Sequence, residues 1–214
     1  MVALASASRA TSRLLVTLLV PLLVPGPSQA RQGGSTVATE RIFEALHARA
    51  DSTICEIGAG DGELSLEAAR RVGPGGHVYT SELGDDRVRK LRERVASSRL
   101  SQITVVTGDA AQTNFPQAAC DALFMRNVYH HFADPAAMNA SIAAALKPGR
   151  RIAVVDFRPP GDEAASPADR DNDGTHGVTA DTVARELQAA GFVLITTERG
   201  TDRWFMVVAA KPML

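Results

Sequence analysis

From Thr53 onward the chain repeats one alternation. A short apolar, β-branched run gives way to a stretch whose apolar residues recur every three or four positions, and then the run returns. "STICEIG" is the first such run, and "ELSLEAARRVG" is the first helical stretch, stopped at Gly73-Pro74-Gly75-Gly76. "HVYTSEL" follows as a strand and "DDRVRKLRERV" as a helix with Val88, Leu91 and Val95 on one face. "ITVVTGD", "DALFMRNV" and "RIAVVDF" read as three further strands, with "PAAMNASIAAALKPG" a helix stopped by Pro148-Gly149 before the last of them. Apolar strands without polar alternation are what a parallel sheet covered on both faces requires, so the pattern predicts an α/β, Rossmann-like doubly wound architecture.

The two ends depart from the alternation. "TADTVARELQAAG" predicts a helix, after which the strands "FVLITTE" and "RWFMVVAA" are separated by only Arg199-Gly200-Thr201-Asp202. That is too short for a parallel crossover, so a mostly parallel seven-stranded sheet with an antiparallel C-terminal hairpin strand is expected. Before the first strand, Ile42, Phe43 and Leu46 stand at helical spacing within Thr39 to Ala48.

The first thirty residues have another layout. Arg9 and Arg13 precede "LLVTLLVPLLV", followed by Pro25, Gly26, Pro27 and the small pair Ser28-x-Ala30. A basic flank, a short apolar run and a small-residue site are the parts of a secretory signal peptide, and the run is short of the ~20 residues that span a bilayer. The expected organisation is a signal peptide over 1–30, a linker over 31–38 and one domain over 39–214. If the signal peptide is used the chain is exported, periplasmic or secreted, with no stable membrane insertion after cleavage; otherwise it is cytoplasmic.

Composition narrows the partners. With 214 residues, 45% of them hydrophobic, one sizeable core is supported. Lys+Arg 23 against Asp+Glu 24 gives a net charge of -1, so no basic field exists to draw nucleic acid, and a small-molecule partner is expected. Oligomeric state is left open.

In an open α/β sheet, ligands bind beyond the carboxyl ends of the strands. "EIGAGDGE" stands where the first strand hands over to a helix. The dinucleotide fingerprint G-x-G-x-x-G would need its third glycine at position 63, which is Glu63; here it is Gly62, and Glu56 stands two residues before Gly58. A carboxylate there repels a pyrophosphate and favours a ligand carrying positive charge.

In these residues the sequence resembles the class I S-adenosylmethionine-dependent methyltransferases, whose first motif is an acid two residues before G-x-G-x-G. The resemblance continues through Glu82 in "YTSEL", through Gly108-Asp109-Ala110, through "CDALFMRNVYHHFADP" and through "LKPGRRIAVVDF". The "RNV…HHF" and "LKPG" segments most resemble the small-molecule branch, which includes quinone-biosynthesis and arsenite methyltransferases; Arg150 replaces the second glycine usual there. The resemblance implies S-adenosylmethionine as cofactor. It would be held by Glu56, Gly58, Ala59, Gly60 and Gly62 at the first turn, by Glu82 and Leu83 at the ribose, by Asp109 and Ala110 at the adenine, and by Arg126 closing the fourth strand. The partner implied is a small-molecule methyl acceptor.

Methyl transfer is an in-line displacement at an already activated carbon, so alignment supplies much of the catalysis and a general base is optional. Tyr129 and His130, on the turn after the fourth strand, and Asp156, ending the fifth, are the candidate catalytic residues. Adjacent histidines point different ways, so His130 and His131 are not expected to share a metal, and no metal ligand set is assigned. Asp169-x-Asp171-x-Asp173-Gly174 opens like a calcium loop, but position twelve, where a bidentate Glu belongs, is Ala180. A solvated acidic lid is expected instead, with His176 just beyond it.

Cys55 and Cys120 fall near the end of one strand and before the start of its neighbour. If Asp51 and Asp121 enter level, about five residues, or ~16 Å, separate them, against the ~7 Å a disulfide tolerates. Two free thiols are expected. Because S-adenosylmethionine is made in the cytoplasm, an exported chain also admits a second reading as a non-catalytic methyltransferase-like binding protein. A nucleotide-linked oxidoreductase is disfavoured by the misplaced glycine.

Overall fold

The computed structural model describes residues 37–213, together with Val2. The signal peptide expected over 1–30 and most of the linker lie outside the described residues. No described helix is long and apolar enough to cross a membrane.

The elements are α1 (Thr39–Leu46), β1 (Thr53–Ile57), α2 (Glu63–Val72), β2 (His77–Glu82), α3 (Asp85–Ser97), β3 (Ile103–Thr107), β4 (Cys120–Arg126), α4 (Pro135–Ala145), β5 (Leu146–Phe157), α5 (Ala180–Ala189), β6 (Val193–Arg199) and β7 (Trp204–Ala210). They form one seven-stranded sheet in the order β3-β2-β1-β4-β5-β7-β6. Pairings are parallel from β3 across to β5, whereas β7 runs antiparallel to both β5 and β6. The alternating pattern and the short last connection thus produce the expected α/β, doubly wound architecture.

The apolar strands serve two cores at once. In β4, Ala122 and Phe124 join Ile54, Val78 and Val155 under α1 and α2, while Leu123 and Met125 join Ile57, Val154 and Val207 under α4 and α5. Successive side chains of a strand point to opposite faces, so a strand covered on both must be apolar throughout.

One boundary differs from expectation. α4 stops at Ala145, and Leu146-Lys147-Pro148-Gly149 belongs to β5. The segment is held by Gly149 N–H donating to the carbonyl of Lys211 (2.9 Å), while Lys211 Nζ donates to the carbonyls of Ala143 (2.7 Å) and Leu146 (2.9 Å). A lysine from beyond β7 therefore satisfies carbonyls at the end of α4, three residues before the Pro148-Gly149 pair expected to stop the helix.

The cysteines correct a second expectation. Cys55 and Cys120 form a disulfide, with Cα atoms 5.8 Å apart, and among the described residues no cysteine is free. The level entry of Asp51 and Asp121 was the faulty premise. β1 and β4 pair Ile54 with Ala122 and Cys55 with Leu123, so Asp121 lies level with Thr53, whose N–H donates to its carboxylate at 3.0 Å. Cys55 is level with Leu123, so Cys120 stands three residues away along the strands rather than five.

Candidate functional site

The turn after β1 is tied to the end of β2. Gly58 N–H and Ala59 N–H both donate to the carbonyl of Ser81, at 2.9 and 3.0 Å, and Gly60 N–H donates to Glu82 Oε2 at 2.7 Å. Gly58 has φ +70°, and a Cβ there would lie 2.4 Å from Val128 Cγ2. Gly60 has φ +56°, but a Cβ there would meet nothing within 4 Å. The first glycine is therefore required by packing. The second opens onto space.

That space is a cavity of about 550 Å³ beyond the carboxyl ends of the strands, within the ~300–1,000 Å³ of small-molecule sites. Gly58, Gly60, Glu82, Leu83, Asp109, Ala110 and Arg126 line it, seven of the ten residues expected at the cofactor. Glu82 is almost fully buried, and its second oxygen accepts from Leu83 N–H at 2.8 Å. Each carboxylate oxygen is thus oriented by one backbone N–H, and each keeps acceptor capacity for a ligand. Leu83 is exposed and apolar beside it. Asp109 is fixed by Ala111 N–H at 2.9 Å.

The other three expected cofactor residues lie behind the cavity wall. Ala59 is buried, and Gly62 caps the start of α2. Glu56 is 3% exposed and accepts a hydrogen bond from Ser65 Oγ, which also meets Thr80 Oγ1 at 2.8 Å. Burial pushes the Glu56 carboxyl up to about 7, against the lowering effects of the Ser65 hydrogen bond and the Arg126 charge. Glu56 therefore anchors α2 beneath the glycine turn and does not line the cavity.

The catalytic candidates divide. Tyr129 is fully buried in the core under α4, where Asn139 Nδ2 donates to its hydroxyl at 2.8 Å. Burial pushes its phenol well above the usual value, and it does not line the cavity. The short helical turn Tyr129–His131 rotates consecutive side chains apart, so Tyr129 takes the inward position and His131 reaches the cavity wall. His130 is 2% exposed and packs on Asp156: its Nδ1 lies 2.8 Å from Asp156 Oδ1, and its backbone N–H donates to Oδ2 at 3.2 Å. Asp156 itself is fully buried and holds His130 without touching the cavity.

The loop between β5 and α5, expected as a solvated acidic lid, meets the histidine turn. Asp171 lines the cavity, 2.8 Å from His131 Nδ1, and His176 Nε2 lies 3.1 Å from His130 Nε2. Asp169, Asp171 and Asp173 do not gather as a calcium loop would. Asp169 instead accepts from Asn172 Nδ2 at 3.3 Å within the loop, while Asp171 turns to the histidines. The alternate acidic spacing was visible in the sequence; that its middle member meets a histidine turn 40 residues earlier was not.

Comparison with known proteins agrees with this geometry. Residues 54–149 match the family model described as "Methyltransferase domain". The chain is 30% identical over 120 residues to a nocamycin O-methyltransferase of Saccharothrix syringae, covering 56% of this chain and 43% of that protein. It is 27% identical over 119 residues to a ubiquinone/menaquinone biosynthesis C-methyltransferase of Marinomonas sp., covering 55% and 47%. The chain thus spans about half the length of the curated relatives it matches. Among solved structures, a SAM dependent methyltransferase from Aquifex aeolicus superposes with TM-score 0.68 at 20% identity, over 80% of this chain and 88% of that one, a likeness of fold.

Proposed function

We propose that the chain is an S-adenosylmethionine-dependent methyltransferase acting on a small molecule. The observation that carries this reading is Glu82, whose two oxygens are pre-oriented by Gly60 and Leu83 N–H groups at the mouth of an open cavity. The matched family model and the relatives' names support it.

The residues present fit the cofactor. Glu82 offers paired acceptors suited to a ribose diol, Leu83 and Ala110 offer apolar surface to an adenine, and the open face at Gly60 admits close approach. Arg126, on the same wall, suits the carboxylate of an amino-acid moiety. S-adenosylmethionine, when bound, supplies a methyl group on a sulfonium, already activated toward a nucleophile. The chain's own part is alignment of the acceptor and exclusion of water. His131 at the wall stands where a proton from an acidic acceptor would be taken or a hydroxyl oriented, and His130, held by Asp156, lies just behind it.

Export remains part of the proposal. It rests on the layout of residues 1–30, and the Cys55–Cys120 bond supports it, because such bonds persist in oxidising compartments. Fusing residues 1–35 to a reporter active only outside the cytoplasm tests it: no signal overturns export.

Calorimetric titration with S-adenosylmethionine, and with NAD as the comparison ligand, tests the main reading. Saturable binding of S-adenosylmethionine alone is expected. Absence of binding, or preference for NAD, overturns it.

A further inference from the structure

His130 Nε2 is presented rather than merely buried. Asp156 holds the opposite ring nitrogen at 2.8 Å and the backbone N–H at 3.2 Å, and Phe157 N–H donates to the same carboxylate at 2.8 Å. With Nδ1 turned toward Asp156, the opposite ring nitrogen of His130, Nε2, points at His176 Nε2, 3.1 Å away. Asp171 Oδ1 lies 3.5 Å from His176 Nε2, and one ligand atom from each of the three residues falls within 4.8 Å of the others. For metal–nitrogen bonds of ~2.0–2.1 Å, neighbouring ligand atoms of a tetrahedral site are about 3.3 Å apart. Two of the three edges are already near that length.

The loop carrying two of these residues is fastened on several sides. Arg170, 3% exposed, pairs with Glu186 at 2.5 Å immediately before Asp171. The carbonyl of Arg170 receives Gly177 N–H at 3.1 Å, and the carbonyl of His176 receives Arg203 Nη2 at 3.1 Å. Gly177, at φ +131°, leaves no room for a Cβ, which would sit 2.6 Å from the carbonyl oxygen of Phe157. His176 is thereby pressed against the strand end that holds Asp156.

We propose that His130, His176 and Asp171 bind a divalent transition cation of the zinc class at the cavity wall, where it takes an oxygen of the methyl acceptor as a further ligand. Two imidazoles and one carboxylate suit zinc, cobalt(II) or iron(II), while calcium and magnesium prefer all-oxygen sites. Asp156 fills the role of the carboxylate that orients a ligating histidine through its other nitrogen, and His131 holds the Asp171 carboxylate in the same manner. Asp171 and His131 face the cavity, so an acceptor there lies beside the cation. The cation's use toward an acceptor oxygen rests on the methyltransferase reading; its binding does not.

The test uses the untagged chain, freed of metal by a chelator and titrated with zinc chloride by calorimetry, with cobalt(II) absorption as a second readout. One equivalent is expected to bind, with affinity falling at least about 100-fold in His176→Ala and unchanged in His77→Ala, which lies elsewhere on the sheet. The cobalt(II) bands of nitrogen ligation are expected to vanish in His176→Ala. Should that variant misfold, Asp171→Asn reads the same site. Absence of one-equivalent binding, equal affinity in the variants, or calcium bound in preference to zinc overturns the proposal. S-adenosylmethionine binding, titrated separately in the same protein, fails independently: zinc bound without it removes the methyltransferase reading and leaves the metal site standing.

Discussion

Glu82 Oε2 accepts the N–H of Gly60 at 2.7 Å, across 22 positions of sequence. The bond locks the glycine turn onto the end of β2, so the acid that lines the cavity also fixes the loop beside it. Hydrogen bonds to a charged group contribute about 1.5–3 kcal/mol each. Glu82→Ala is expected to weaken S-adenosylmethionine binding by about 10- to 100-fold or more, and Glu82→Gln by less, as read by calorimetry. Undiminished affinity in Glu82→Ala would remove this residue from the site.

The two glycines of the turn separate stability from binding. Gly58→Ala places a methyl 2.4 Å from Val128 Cγ2 at positive φ, and should cost about 2–4 kcal/mol in urea unfolding. Gly60→Ala meets no neighbour, so only the strain of its φ, about 1–2 kcal/mol, is expected, together with a large loss of ligand affinity. Equal destabilisation by both substitutions would contradict this division.

Glu56 makes stability depend on pH. Its carboxyl is raised from an ordinary 4.5 to about 7, so the folded chain holds this proton more tightly than the unfolded chain. The contribution is fully present below about 4.5 and is lost as pH rises through about 7, an effect of roughly 3 kcal/mol at most. Relative to Glu56→Gln, the parent chain should gain stability as pH falls from 8 to 5. Parallel stability curves for the two would refute this.

The disulfide closes a separation of 65 residues, for which loop entropy predicts about 4 kcal/mol of stabilisation. Cys120→Ala, or reduction, should lower the unfolding free energy by up to that amount. A mass increase of about 2 Da on reduction of the unfolded protein detects the bond itself.

The sheet was legible because its strands are buried on both faces and its last connection is too short to cross over; both facts are written locally in the chain. The cavity wall was legible for a related reason: Gly58, Glu82 and Asp109 each end or follow a strand, so topology alone brings them to one edge. What failed depended on rotation and register. Tyr129 and His131 are two positions apart on one turn, and which of them reaches the cavity is decided by how that turn sits over α4. The cysteine pairing hinged on a two-residue difference in strand register, which composition does not record. Asp171 and His176 belong to a loop whose path follows from the Arg170–Glu186 pair and the packing of Gly177.

The position of β7 has a consequence for how the chain folds. Residues 204–210 are the last described strand to leave the ribosome, yet they fill the slot between β5 and β6. Until they are made, β5 exposes an unpaired apolar edge that is a template for pairing between chains. Completion of the sheet thus awaits a late insertion with both neighbours already synthesised, and the nascent chain is open to misassociation in that interval. A chain stopped after Arg199 would retain every residue of the cavity wall and still be expected to aggregate rather than bind.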